Sequence, residues 1–573
     1  MAKKASTKKK KVTRKKKPAT KKPAPKKSFE QTLWDTADKL RGTVESSEYK
    51  HVVLSLIFLK FVSDRFEARR QEIMDEGHDD HVDMVEFYTM KNVFYLPEKS
   101  RWSTIVKQAK QDDIAVRIDS ALHAVEKNNP SLKGALPDNY FSRMGIDVAK
   151  LAALIDSINN INTVEDSQAG AAGEEDIVGR VYEYFLGKFA ATEGKGGGEF
   201  YTPKCVVNLI AEMIEPYSGK IYDPCCGSGG MFVQSVKFIT SHSGNQKDIS
   251  IYGQEQTSTT YKLAKMNLAI RGISGNLGEV PADTFFKDQH PDLKADYIMA
   301  NPPFNLKAWR GTDELTDDAR WSGYEVPPTG NANYGWILHM ISKLSENGIA
   351  GFVLANGSMS TSTKGEGDIR QKIIENDLVD CMIALPGQLF YTTQIPVCLW
   401  FLTKSKAART LSRLGASPGS VDATTGASAQ TAHNITYRER TGETLFIDAR
   451  NHGSMIDRTH KELTEADIAE IADTYHNWRS DKYKPEAQSD GTSEPVYKDK
   501  PGFCKSSTIE DIAANDYVLT PGRYVGAAPL EDDGIPFETK MTDLTTTLYQ
   551  QMDDAKKLDK SIQKNLEALG YGK

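Results

Sequence analysis

The stretch Lys220-Ile-Tyr-Asp-Pro-Cys-Cys-Gly-Ser-Gly-Gly230 begins as a short β run and closes on a cluster of glycines, and a helical stretch, Met231–Phe238, follows directly. Strand, glycine turn and helix in that order make the first unit of an α/β sheet. Glycine lets the backbone turn sharply and approach a ligand with no Cβ in the way. The helix start behind it offers unpaired N–H groups. Phosphate loops and dinucleotide folds use the same device. Here no Lys-Ser/Thr pair follows the glycines and the G-x-G-x-x-G spacing fails, which excludes both. The acid ahead of the glycines is the better clue. Asp223 sits where a nucleoside with a positive or amino-bearing tail would place that tail.

Outward from this turn, β-like runs alternate with helical stretches. Ile249–Gly253 leads into Gln254 and Glu255, Asp296–Ala300 leads into prolines, and Ile349–Leu354, Val379–Leu385 and Val397–Leu402 are further apolar runs. Alternation over ~250 residues predicts a doubly wound α/β domain. Glu255, at the end of the second strand, is well placed to accept both hydroxyls of a ribose. The third strand is expected to end near Asp283, where an acid could hydrogen-bond an adenine amino group.

The most informative chemistry lies in Asp296-Tyr-Ile-Met-Ala-Asn-Pro-Pro-Phe304. Two prolines fix the backbone and remove N–H donors, so the loop carbonyls stay free as acceptors. The Asn301 side-chain oxygen and the Pro302 carbonyl can then both accept from one –NH2 group, and Phe304 can stack on the ring that bears it. Such a nitrogen is a poor nucleophile because its lone pair is delocalised into the ring. Two acceptors aimed at its hydrogens pull it toward sp³ and localise that pair. This is electrostatic preorganisation, with no strong base needed.

Asp-Pro-x-x-Gly-Ser-Gly-Gly followed by Asn-Pro-Pro-Phe resembles the amino-group DNA methyltransferases that use S-adenosyl-L-methionine. Asn-Pro-Pro-aromatic is their N6-adenine version; the N4-cytosine version usually opens with Ser. Further stretches resemble the modification (M) subunits of type I restriction-modification systems: Leu33-Trp-Asp-Thr-Ala-Asp-Lys-Leu-Arg-Gly42, Glu48-Tyr-Lys50, Leu56-Ile-Phe-Leu-Lys-Phe-Val-Ser-Asp-Arg-Phe66, Asp176-Ile-Val-Gly-Arg-Val-Tyr-Glu-Tyr-Phe-Leu186, Gly198-Glu-Phe-Tyr-Thr-Pro203 and Asn515-Asp-Tyr-Val-Leu-Thr-Pro-Gly-Arg-Tyr-Val525. The resemblance covers about residues 28–573, outside a basic tail and the 405–437 stretch.

This resemblance implies a Rossmann-like S-adenosylmethionine-dependent α/β domain, with an N-terminal helical domain and a C-terminal helical extension. It implies a site-specific adenine DNA methyltransferase. Glu199, Phe200, Tyr201, Thr202, Pro203 and Lys204 would cover the cofactor. Phe200 and Thr202-Pro203 would lie near its methionine part and the glycine turn. Asp223 with Gly227, Ser228, Gly229 and Gly230 would cradle that part, Glu255 would take the ribose, and Asp283 would sit at the adenine. Asn301, Pro302, Pro303 and Phe304 would form the catalytic loop. Cys225 and Cys226 read as small packing residues, since transfer to an amino nitrogen needs no covalent enzyme intermediate. The target adenine would be flipped out of the duplex, and no metal is needed. The implied partners are double-stranded DNA, a specificity (S) subunit, a second M subunit and a restriction (R) subunit.

Composition sets the frame around these motifs. The 573 residues are 39% hydrophobic and 26% charged, a soluble composition of several folding units. The longest apolar run, around His51–Val62, is broken by Lys60 and falls short of the ~20 residues of a membrane span. No apolar segment follows the basic N-terminus, so no secretory signal is expected there. Six cysteines with no CxxC spacing argue against a disulfide scaffold or a zinc module and fit a cytoplasmic setting. Residues 1–27 hold thirteen Lys and one Arg and no acid. The net charge of −6 therefore hides an acidic body behind a basic tail, an arm suited to a polyanion or to solubility.

The expected organisation is a disordered tail (1–27), a helical domain (28–165), a catalytic domain (166–450, with a flexible insertion at about 405–437) and a C-terminal region (451–573). In that last region Phe537, Met541, Leu544, Leu548, Met552, Ala555, Leu558, Ile562, Leu566 and Leu569 keep a three-to-four rhythm, which predicts a long helix with a sticky seam for docking the S subunit. Glu174–Phe189 reads as another amphipathic helix. Two alternatives stand beside the DNA reading: an enzyme methylating protein glutamine, whose amide poses the same problem, and a non-catalytic docking subunit that kept the fold. Pro137-Asp138 with Glu193-Gly-Lys195 is too widely spaced for a nuclease, and no ATP-binding loop exists, so cleavage would come from a partner.

Overall fold

The computed structural model describes residues 34–35, 38, 46–91, 93–160, 184–185, 188, 202–242, 245–363, 365–390, 395–421, 428–483, 496–527 and 537–570. The basic tail, nearly all of the helix expected over 174–189, the Gly194–Gly198 loop, and Glu199, Phe200 and Tyr201 lie outside these residues.

The first part is helical, with α1 (Ser46–Asp75), α2 (Trp102–Gln108), α3 (Ile114–Asn128) and α4 (Val148–Asn159). Its apolar run is buried on every face rather than along one stripe, because the other helices wrap α1 and share its core. Lys60 interrupts the run and is itself buried, paired with Asp64 one turn on. Asp147 caps α4 by accepting from Lys150 N at 3.0 Å.

The second part is a nine-stranded mixed sheet. Its strands are β1 (Gly219–Asp223), β2 (Ile249–Gly253), β3 (Gly275–Asn276), β4 (Ala295–Ala300), β5 (Leu344–Ala355), β6 (Val379–Ala384), β7 (Val397–Thr403), β10 (Glu443–Asp448) and β13 (Cys504–Thr508), in the order β13-β10-β6-β7-β5-β4-β1-β2-β3. The β3-β2-β1-β4-β5 half is parallel, and β7 runs antiparallel between β5 and β6. Helices α5 (Lys204–Ile214), α6 (Gly230–Ser241), α7 (Ser258–Ile270), α8 (Asn333–Lys343), α9 (Glu366–Glu375) and α10 (Glu465–Arg479) accompany the sheet. Its central strands read as unbroken apolar runs because both faces are covered: β6 and β7 are buried along their whole length. The two parts share apolar packing, since Leu263, Met266 and Ile270 of α7 belong to the core of the helical part. Lys265 Nζ also donates to Lys133 O at 3.0 Å.

Two features depart from the sequence reading. The third strand ends at Asn276, so Asp283 stands in a loop seven residues later. The 405–437 stretch contains an antiparallel hairpin, β8 (Arg409–Val421) with β9 (Ser428–Tyr437). Residues 451–527, expected in the C-terminal region, join the main sheet. After a two-residue ladder, β11 (Ser454–Met455) with β12 (Lys461–Glu462), they add α10 and the edge strand β13 to the main sheet. The last element, α11 (Phe537–Ala568), is exposed along its described length.

Candidate active site

Strands β1, β2 and β4 end on one edge of the sheet, where the order reverses about β1. In open α/β sheets ligands bind in such a crevice. Asp223 closes β1 opposite Gly253 at the end of β2. It is 1% exposed, and its Oδ1 accepts from Cys225 N at 3.0 Å. Burial pushes its carboxyl up to about 7, offset only in part by the Cys225 N–H, with the Glu255 charge adding to the rise. Gly229 caps α6 at φ +80°, a left-handed conformation that a side chain would strain. Gly253 has a different reason: a Cβ there would stand 2.8 Å from Leu277 and Phe232. Burial holds the thiols of Cys225 and Cys226 well above their ordinary range, so neither is a ready nucleophile.

Glu255 sits directly beyond β2 and clasps the glycine turn. Gly227 N donates to its Oε2 at 3.1 Å and Thr257 N to its Oε1 at 2.7 Å. Asp283 Oδ1 accepts from Phe285 N at 2.7 Å and so shapes its own loop. That loop is pinned by residues with no motif to mark them. Thr284 Oγ1 donates to Pro224 O at 2.6 Å. Buried Gln254 donates to Ala282 O and Lys287 O at 3.1 and 2.8 Å and accepts from Gln289 N at 3.0 Å. Arg320 donates to Thr284 O at 3.1 Å and Phe285 O at 2.6 Å, its guanidinium held by Asp318.

Asn301 follows β4. Its Nδ2 donates to Thr202 Oγ1 at 2.9 Å, and its Oδ1 is buried with no hydrogen-bond partner among the described residues. Phe304 packs edge-on to Phe390, with ring centroids 5.8 Å apart. The chain then turns through Asn305 at φ +52°, held by Asn333, which accepts from Asn305 N at 3.1 Å and donates to Asn305 Oδ1 at 3.0 Å.

An open cleft is lined by Thr202, Lys204, Asp223, Gly227, Ser228, Gly230 and Asn301. Gly229, Glu255, Asp283, Pro203, and Pro302, Pro303 and Phe304 are not on its lining; Glu255 joins it through Gly227. Gln234 of α6 and Asn267 of α7 also line it, and Asn267 Nδ2 donates to Ser228 O at 2.7 Å. Sequence reading missed both, as it missed Gln254, Thr284, Arg320 and Phe390, since a single polar or aromatic residue carries no periodic signal.

Residues 173–533 match the N-6 DNA methylase family, and residues 29–158 match the HsdM N-terminal domain. The chain is 45% identical over 491 residues to the type I restriction enzyme HindI methylase subunit of Haemophilus influenzae, across 83% of this chain and 100% of that one. It is 38% identical over 562 residues to the type I restriction enzyme MjaIX methylase subunit of Methanocaldococcus jannaschii, across 95% of this chain and 92% of that one. In fold it is similar to the type I restriction-modification methyltransferase subunit of Streptococcus thermophilus, with a TM-score of 0.65 at 22% identity, across 87% of this chain and 98% of that one.

Proposed function

Since this chain belongs to the N-6 DNA methylase family, with methylase subunits of type I restriction enzymes as its relatives, we propose that its cleft binds S-adenosyl-L-methionine and methylates N6 of adenine in double-stranded DNA. The activity is that of a site-specific adenine DNA methyltransferase, EC 2.1.1.72. One observation carries the reading: the Asn301 amide, its Oδ1 buried and without a partner among the described residues, shares a cleft with a buried acid and a glycine turn.

The residues present suit the cofactor. The raised carboxyl of Asp223 is matched by an ammonium, whose charge restores its ionised form. A Cβ at Gly227 would meet nothing within 4 Å, so the turn leaves an open cradle. Asp223 and Gly227–Gly230 would hold the methionine part, Glu255 the ribose and Asp283 the adenine, with residues 199–204 covering it. When bound, the cofactor supplies a methyl group activated as a sulfonium.

The chain does the rest by orientation. A target adenine flipped from the duplex, at a cost of a few kcal/mol, stacks on Phe304. Asn301 Oδ1 and Pro302 O accept its two N6 hydrogens. They hold the nitrogen lone pair toward the methyl and stabilise the positive charge that grows on nitrogen. Pro303 keeps the loop free of a competing N–H donor.

For assembly, the reading adds an S subunit for target recognition, a second M subunit, and an R subunit for cleavage. The exposed apolar seam of α11 supports it as the S-subunit contact. No helix among the described residues is long and apolar enough to cross a membrane. A DNA substrate and six free cysteines support a cytoplasmic location. Neither the protein-glutamine reading nor the non-catalytic one draws support from the relatives, which are methylase subunits of restriction enzymes.

The test is transfer of tritiated methyl to unmethylated duplex DNA by the complex with the co-encoded S subunit. Label recovered as N6-methyladenine, and reduced to a slow residual rate in Asn301→Ala, is the expected result. Cofactor binding without label in DNA would overturn the acceptor, and no cofactor binding would overturn the enzymatic reading.

A further inference from the structure

A hydrogen bond joins the catalytic amide to the segment expected to cover the cofactor. Asn301 Nδ2 donates to Thr202 Oγ1 at 2.9 Å, although the two residues are 99 positions apart. Thr202 stands on a rigid post. It precedes α5, most of whose residues are buried against the sheet. The far end of α5 is tied to α10, where His476 Nε2 bonds Glu212 O at 2.8 Å and Arg479 pairs with Glu215. The hydroxyl therefore has a fixed place relative to β4.

A carboxamide fits its site in two orientations half a turn apart, and they are chemically opposite. With Oδ1 toward the cleft, Asn301 accepts a hydrogen from the adenine amino group. With Nδ2 toward the cleft, two donors face each other and the preorganisation is lost. In the structure Nδ2 is committed to Thr202, and Oδ1 is buried with no partner among the described residues. Resting on the reading of Asn301 given above, we propose that Thr202 is a positioning residue for methyl transfer: its hydroxyl oxygen accepts from Asn301 Nδ2 and so turns Oδ1 toward the target N6. This role differs from packing against the cofactor, the one its place in residues 199–204 implies.

The discriminating variants are Thr202→Val, which keeps the shape and loses the acceptor, Thr202→Ser, which keeps the hydroxyl, and Thr202→Ala. Each is assayed in the full complex with the S subunit. Single-turnover methyl transfer is measured at saturating cofactor and DNA, and cofactor Kd separately. Thr202→Val and Thr202→Ala should slow transfer by roughly ten- to hundredfold, the range of a lost preorganised contact. Any weakening of cofactor Kd should be much smaller than the loss of rate, and Thr202→Ser should recover most of the rate. In the Asn301→Ala background, Thr202→Val should cause no further loss, as for two residues acting through one contact. Three results would each overturn the proposal: a Kd that weakens in step with the rate, a Thr202→Ser variant as slow as Thr202→Val, or additive losses in the double variant. An Asn301→Ala enzyme that still methylates at the normal rate would instead overturn the catalytic loop itself. Should Thr202→Val fail to fold, Thr202→Ala and Thr202→Ser carry the comparison.

Discussion

Gly227 N donates to Glu255 Oε2 at 3.1 Å, which ties the turn after β1 to the acid after β2. Thr257 N holds the other oxygen at 2.7 Å. The same carboxylate is the group proposed to accept from the ribose diol. One side chain would thus shape the turn and hold the ligand. In Glu255→Gln an amide NH2 replaces one acceptor and faces a backbone N–H. Hydrogen bonds to charged groups are worth about 1.5–3 kcal/mol. Calorimetry should therefore show cofactor affinity weakened by roughly ten- to hundredfold, and an unchanged Kd would remove Glu255 from the site.

Asp223 makes two pH predictions of fixed sign. Its carboxyl, pushed up to about 7 by burial, lies above the ordinary 3.8. Between those values the folded chain keeps a proton that the unfolded chain has lost. Stability of the cofactor-free protein therefore falls as pH rises through that window and levels off above about 7, by at most roughly 4 kcal/mol. Asp223→Asn removes this dependence and should raise the thermal midpoint at pH 8 more than at pH 5. A cationic ligand needs the ionised form, so cofactor affinity should climb by roughly five- to tenfold from pH 6 to 7.5, below the α-amino range of the ligand itself. A flat binding profile would place the ammonium elsewhere.

How far the sequence foretells this site depends on what kind of residue does the work. The strand, turn and helix over 219–241 and the loop at 301–304 are legible because a backbone geometry demands glycine or proline there, and these residues stand out against any background. The long apolar strands are legible because burial on both faces leaves an unbroken run. The 282–290 loop is opaque by contrast. Gln254, Thr284 and Arg320 hold it through side-chain bonds to backbone carbonyls, and such bonds follow no period. Edge strand β13 is short and polar, Cys504-Lys-Ser-Ser-Thr508, so its sequence does not separate it from a loop. Its place comes only from the ladder with β10.

Arg320 is the clearest of these opaque residues to test. Its guanidinium carries the carbonyls of Thr284 and Phe285, one and two residues after Asp283, from a segment downstream of the catalytic loop. A lysine keeps the charge but not the planar fork, and it cannot reach both carbonyls and Asp318 together. Arg320→Lys should raise the KM for cofactor by roughly three- to tenfold, about 1 kcal/mol. Single-turnover transfer at saturating cofactor should stay near normal, because the adenine-side loop loosens while Asn301 stays in place. A fall in the transfer rate with KM unchanged would show that Arg320 acts on the catalytic loop instead.

The 32 residues of α11 extend about 48 Å at 1.5 Å per residue. Met541, Leu548, Ala555 and Ile562 recur every seven residues, and Leu544 and Leu558 stand three further on, which is the seam of a coiled coil. Leu544, Leu548 and Leu558 are each more than half exposed. Burying a leucine is worth about 2 kcal/mol, so a partner helix along this seam would gain more than either helix holds alone. Two carboxylates placed in the seam would have to be desolvated on docking. The double variant Leu548→Glu with Leu558→Glu should fail to co-purify with the S subunit and lose DNA methylation. Its cofactor Kd should be unchanged, since α11 lies outside the cleft. A complex that survives both substitutions would assign S-subunit docking to another surface.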